Sequence, residues 1–99
     1  MADITCTELR ERIQNGEKVT IIDVREAYEY EEFNIGAQLI PLGEIPSKLD
    51  ELAHLKNEEI IVHCRSGARS NNAKLFMMEN GFTNVRNLLG GMMEWQATA

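Results

Sequence analysis

The 99-residue chain is 43% hydrophobic and 26% charged, carries a formal net charge of −6, and contains two cysteines and two histidines. This is the composition of a folded domain with one modest core, so residues 1–99 are read as a single domain. A net negative charge without a basic run excludes nucleic acid and anionic membrane as partners. No stretch has the length of a membrane span or the form of a secretory leader, which makes the cytoplasm the expected compartment.

Residues 3–5 read as a short edge strand. "TELRERIQNG" reads as a helix with Thr7 at its N-cap and Asn15-Gly16 as its stop signal. "VTIIDV", residues 19–24, is a nearly continuous β-branched run, which suits a strand buried on both faces of a parallel sheet. Residues 26–33 form a short polar helix, and residues 38–42 a weaker strand. Ile45, Leu49 and Leu52 recur at helical spacing, with Pro46 favouring a turn-like start. "EIIVHC", residues 59–64, is the second buried strand. A helix begins near Arg69 or Ser70 and runs to Glu79, where Asn80-Gly81 ends it. Residues 84–88 form another weak strand and residues 92–99 a last short helix. Strands alternating with helices predict an α/β domain with a mostly parallel sheet.

The chemistry concentrates in "HCRSGARS". Cys64 ends a buried strand, and a helix starts a few residues later. In open α/β sheets, ligands bind where a strand's carboxyl end feeds a helix N-terminus. Free N–H groups and the helix dipole favour negative charge there, and a tight loop can aim further amides inward. Arg65 and Arg69 add positive charge. Such surroundings lower a thiol from about 8.5 to roughly 3.5–7.5, which makes it an ionised nucleophile at neutral pH. A lone cysteine at a strand end is more often a small hydrophobe. The anion-binding character of Arg65, Gly67 and Arg69 tips the balance toward function. Two thiols without a CxxC are expected to be free, and His63 beside Cys64 is not a chelating pair, so neither a metal nor another cofactor is expected.

Other residues have plainer readings. Asp23 is read either as lying near the cysteine loop, bonding its backbone or an arginine, or as part of a structural turn in which Arg25 pairs with a carboxylate and Asp23 caps a helix. His63 points to the opposite sheet face from Cys64 and is structural. Gly90-Gly91 lacks a phosphate-loop pattern and reads as a tight turn near the active site. Trp95 and most of Met77, Met78, Met92 and Met93 are core, with one or two methionines flanking the cleft. Cys6 is an ordinary small residue, with a resolving thiol as its lesser reading.

"IIDVREAYEYEEFNIGAQLIPL", "VHCRSGARS" and "VRNLLGGMMEW" together resemble the rhodanese-like family of sulfurtransferases, over nearly the whole chain. One departure is Asn34, where many members carry a histidine. The resemblance implies a five-stranded mostly parallel sheet flanked by helices on both faces. It also implies a persulfide at Cys64, loaded from a sulfane donor such as thiosulfate, polysulfide or a persulfide and unloaded to cyanide or a thiol. Arg65, Ser66, Gly67, Ala68 and Arg69 would form the substrate-binding loop. Related phosphatases and arsenate reductases have a loop one residue longer, Cys-x5-Arg, so the tighter loop here favours sulfur over a tetrahedral phosphate. The partners implied are small anionic sulfur donors and an acceptor thiol, on a small molecule or a protein, and nothing demands more than a monomer. A sulfur-carrier or partner-binding module with little free turnover is the first alternative, and a phosphatase or arsenate reductase the second.

Overall fold

Ile21–Asp23 (β1) and Ile60–His63 (β3) lie side by side at the centre of a parallel sheet, which explains why neither alternates apolar with polar residues. The computed structural model describes residues 2–98. Gln38–Leu39 (β2) and Val85–Asn87 (β4) flank the central pair, giving four strands in the order β2-β1-β3-β4, all parallel. The expected fifth strand over residues 3–5 is reduced to a single bridge between Ile4 and Leu88. The reason is local. Thr5 caps the first helix, so only one residue remains to pair with the sheet edge.

That helix, Cys6–Gln14 (α1), is capped by Thr5 rather than Thr7: the Thr5 hydroxyl accepts from the Glu8 amide at 3.1 Å. The pattern Thr5-x-x-Glu8 is a capping signature, which Thr7-x-x-Arg10 is not. Ala27–Glu32 (α2) opens with a reciprocal capping box between Glu26 and Glu29. Asn34 then closes the turn after it, donating to the Tyr30 carbonyl and accepting from the Gly36 amide. Ile45–Lys48 (α3) is a single turn with Pro46 at its start, following a 3-10 turn over Leu42–Glu44. Ala68–Glu79 (α4) and Gly91–Ala97 (α5) complete the chain. The expected last helix included Ala99, which lies outside the described residues.

Helices cover both faces of the sheet. On one face Ile22, Ile60, Val62 and Cys64 pack with Ala73 and Met77 of α4 and Ile45 of α3. On the other, Ile61 and Leu88 pack with Leu9 of α1 and Met92 of α5. Each such fully buried aliphatic side chain stabilises the fold by roughly 1.5–3 kcal/mol. The alternation along β3 sends Cys64 to the α4 face and His63 to the opposite one. The first residue beyond β3 therefore stands at the N-terminal end of α4.

Candidate active site

Gly67 is the N-cap of α4, and at φ +113° it adopts a backbone conformation that other residues resist. Having no side chain, it cannot satisfy the free amides of the first turn, and the Cys64 sulfur takes that place. Sγ accepts from the Gly67 amide at 3.1 Å, the Ser70 amide at 3.4 Å and the Ser70 hydroxyl at 3.3 Å. Cys64 is 1% exposed. Burial alone pushes its thiol upward. The Ser70 hydroxyl, then the amides of Ser70, Gly67 and Ser66, outweigh burial and hold it below the usual thiol range. The anion is thus favoured by short-range neutral donors at a helix N-terminus.

The loop's carbonyls are drawn the other way. The Met92 amide donates to the Cys64 carbonyl at 3.0 Å and the Met93 amide to that of Arg65 at 2.9 Å. These are free amides of the first turn of α5, so one helix start holds the loop's oxygens while another faces its sulfur. The approach requires Gly91, at φ +54°: a Cβ there would lie 2.6 Å from the carbonyl oxygens of both Cys64 and Arg65. Gly91 therefore makes the close contact with the cysteine loop, while Gly90 lies against the Glu94 side chain.

Of the two arginines, Arg69 clamps Glu29 of α2 through two hydrogen bonds of 2.7 and 2.9 Å, and its guanidinium stays within electrostatic reach of the Cys64 sulfur. That guanidinium pushes the Glu29 carboxyl down to about 2. Arg65, Ser66 and Ala68 are exposed. Arg65 lines a cleft of about 370 Å³ between α2 and α5, together with Tyr28, Glu29 and Met93. Cys64 does not itself line that cleft, which the loop reaches through Arg65. Ser70 and Asn87 are the site residues that sequence reading missed. Ser70 is fully buried and donates to the sulfur, while Asn87 of β4 meets the loop at the Ser70 hydroxyl and the Gly67 carbonyl. A serine one turn into a helix that starts beside the cysteine was a readable signal. The Asn87 contact, made from a separate strand, was not.

Asp23 does not reach the cysteine loop. Its buried carboxylate accepts from the Arg25 side chain at 2.8–3.1 Å and from the Arg25 amide at 3.0 Å, and Arg25 also donates to the Phe33 carbonyl at 2.7 Å. The pairing of Arg25 with a carboxylate holds, but Asp23 caps no helix: Glu26 is the N-cap of α2. His63 is buried on the same face, its Nε2 3.7 Å from Asp23, beyond hydrogen-bonding distance. Cys6 is a buried free thiol at the start of α1, near the Leu89 and Gly91 carbonyls.

A strand-end cysteine held by the first turn of a helix in a parallel α/β sheet defines a thiolate-centred domain. The rhodanese-like domain family matches residues 5–98, and the chain belongs to it. A relative from Bacillus subtilis that carries a provisional sulfurtransferase name (YtwF) is 40% identical over 95 residues, covering 95% of this chain and 89% of that protein. A second protein of the same organism, with a provisional sulfur-carrier name (YrkF), is 38% identical over 94 residues; the match covers 94% of this chain but 50% of that protein. The crystal structure of a rhodanese-like domain protein from Staphylococcus aureus superposes with a TM-score of 0.86 at 34% identity, covering 96% of this chain and 91% of that one.

Proposed function

We propose that this chain, acting as one domain, is a sulfurtransferase whose Cys64 carries a sulfane sulfur. The observation that carries the reading is the ring of N–H and O–H donors closed on a buried sulfur, which favours the thiolate without any metal or charged partner in contact. The Cys64 thiolate attacks the outer sulfur of a donor such as thiosulfate. A sulfur–sulfur bond forms at Cys64 as the donor's own breaks, and sulfite leaves with the electron pair. An acceptor thiolate or cyanide then attacks the outer sulfur of the persulfide, and Cys64 departs as thiolate. Two half-reactions through a covalent intermediate predict ping-pong kinetics.

Arg65 is the residue placed to receive the donor's negative charge, because it is exposed on the cleft wall next to Cys64. Arg69 is committed to Glu29 and acts on the loop's shape. The remaining loop positions, Ser66, Gly67 and Ala68, contribute backbone: the Ser66 and Gly67 amides face the sulfur. Sulfite and thiolate are competent leaving groups without a general acid, and the ring around Sγ supplies none beyond a serine hydroxyl. The physiological setting proposed is the cytoplasm.

A thiosulfate:cyanide assay tests the reading directly. Wild-type protein is expected to turn over and Cys64→Ser to be inert; equal inactivity of both with thiosulfate, polysulfide and a small persulfide overturns it. The relative named as a sulfur carrier supports a second reading, in which proteins load and unload Cys64. A stable mass gain of one sulfur with negligible cyanide turnover selects that one.

A further inference from the structure

The Ser70 hydroxyl has one proton and three acceptors within reach: Cys64 Sγ at 3.3 Å, the Gly67 carbonyl at 3.2 Å and Asn87 Oδ1 at 2.5 Å. The Gly67 carbonyl already accepts from the Asn71 amide at 3.0 Å and from Asn87 Nδ2 at 3.1 Å. The real competition for the proton is between the sulfur and Asn87. The amide of Asn87 cannot turn to relieve it. Its Nδ2 is committed to the Gly67 carbonyl, so Oδ1 must face Ser70, and the Asn87 backbone is pinned by its N–H donating to Asp3 at 2.9 Å. Serine and asparagine are both buried, so neither can turn to water instead.

We propose that Asn87 is a positioning residue that competes with the Cys64 sulfur for the Ser70 proton, and so favours the sulfur-loaded state over the bare thiolate. A thiolate is a strong acceptor and draws the Ser70 hydroxyl to itself, leaving the buried Asn87 Oδ1 without its donor. Leaving such a buried oxygen unpaired carries its full desolvation penalty. Once Cys64 is a persulfide, the negative charge sits on the outer sulfur. Sγ becomes a poor acceptor, and Ser70 returns its proton to Asn87. The consequence for sulfur loading rests on the sulfurtransferase reading; the coupling itself concerns only ionisation of the thiol. Around the site, Arg69 is paired with Glu29 of α2, Arg65 stands on the rim, Arg25 is held by Asp23 after β1, and Lys74 pairs with Asp3 behind Asn87. His63 lies on the far face of the sheet. These groups stay constant in the comparison below.

The test is a double-mutant cycle read by the pH dependence of Cys64 alkylation, with Cys64 and Cys6 resolved by peptide mass. Asn87→Leu is expected to lower the Cys64 midpoint, because Ser70 then serves the sulfur alone, and Ser70→Ala to raise it. In the Ser70→Ala background, Asn87→Leu is expected to shift nothing further. A raised midpoint in Asn87→Leu, or an equal shift with and without Ser70, overturns the proposal, since loop loosening would act in both backgrounds. Should Asn87→Leu not fold, the wild-type Asn87 side-chain amide resonances serve instead. They are expected to titrate with Cys64 and to lose that response in Ser70→Ala; resonances that do not respond overturn the proposal. Loss of thiosulfate turnover without loss of this coupling would remove the enzymatic reading and leave the proton competition standing.

Discussion

At the scale of single residues, the sulfur is held chiefly by neutral donors, while the Arg69 guanidinium hydrogen-bonds Glu29. Asp23 and Arg25 form a pair whose side chains are 0% and 6% exposed. Removing one charge from such a pair leaves the other buried alone, which destabilises by roughly 3–5 kcal/mol. Asp23→Asn is expected to lower the urea unfolding midpoint accordingly while leaving the Cys64 midpoint unchanged in the folded fraction. His63 and the paired carboxylates Glu29, Glu59 and Asp3 also make stability depend on pH. Burial, reinforced by Arg25 and opposed by Asp23, holds His63 below its usual 6.5, so the unfolded chain takes up its proton first and stability declines as pH falls through 6.5. Glu29, at about 2 rather than 4.5, contributes stability that is complete above 4.5 and lost on the way down to 2. Its partner Arg69 is 36% exposed, so screening keeps this second effect to about 1 kcal/mol or less. Urea midpoints against pH should show the upper decline vanish in His63→Leu and the lower one shrink in Glu29→Gln, its remainder belonging to Glu59 and Asp3.

At the scale of elements, two helix starts shape the loop. Gly91→Ala drives a Cβ into the carbonyls that α5 holds, at a φ that disfavours alanine. It is expected to lower stability by about 2 kcal/mol or more and to raise the Cys64 midpoint as the loop amides turn from the sulfur. Thr5→Ala removes only the α1 cap, for about 1 kcal/mol, and is expected to leave the thiol as it was. Thermal unfolding beside alkylation-rate titration separates the two effects. Much of this framework was legible in the chain. The runs around β1 and β3 are apolar throughout because both sheet faces are covered, and Asn15-Gly16 and Asn80-Gly81 mark helix ends where the backbone must turn. Residues 3–5 misled because an apolar isoleucine next to a threonine looks like an edge strand until the threonine is assigned as a cap. The pairing of Arg69 was not legible because its partner, Glu29, is 40 residues away, and a guanidinium goes to the carboxylate that tertiary folding brings closest. The Asn87 contact was invisible for the same reason.

At the scale of the whole molecule, sheet order puts the chemistry where it is. Because β3 is central, Cys64 emerges between α4 and α5, and both helix starts converge on one short loop. No described helix is long and apolar enough to cross a membrane. This convergence favours the Cys64 thiolate chiefly through dipoles and a hydroxyl at contact distance, with guanidinium charge secondary. The decisive measurement is the Cys64 ionisation midpoint at low and high salt, from pH-dependent alkylation resolved by peptide mass. The account predicts a midpoint below the free-thiol value of about 8.5 that barely moves with salt, since hydrogen bonds at contact distance are not screened. A midpoint at or above that value, or one that climbs steeply as salt is added, contradicts it.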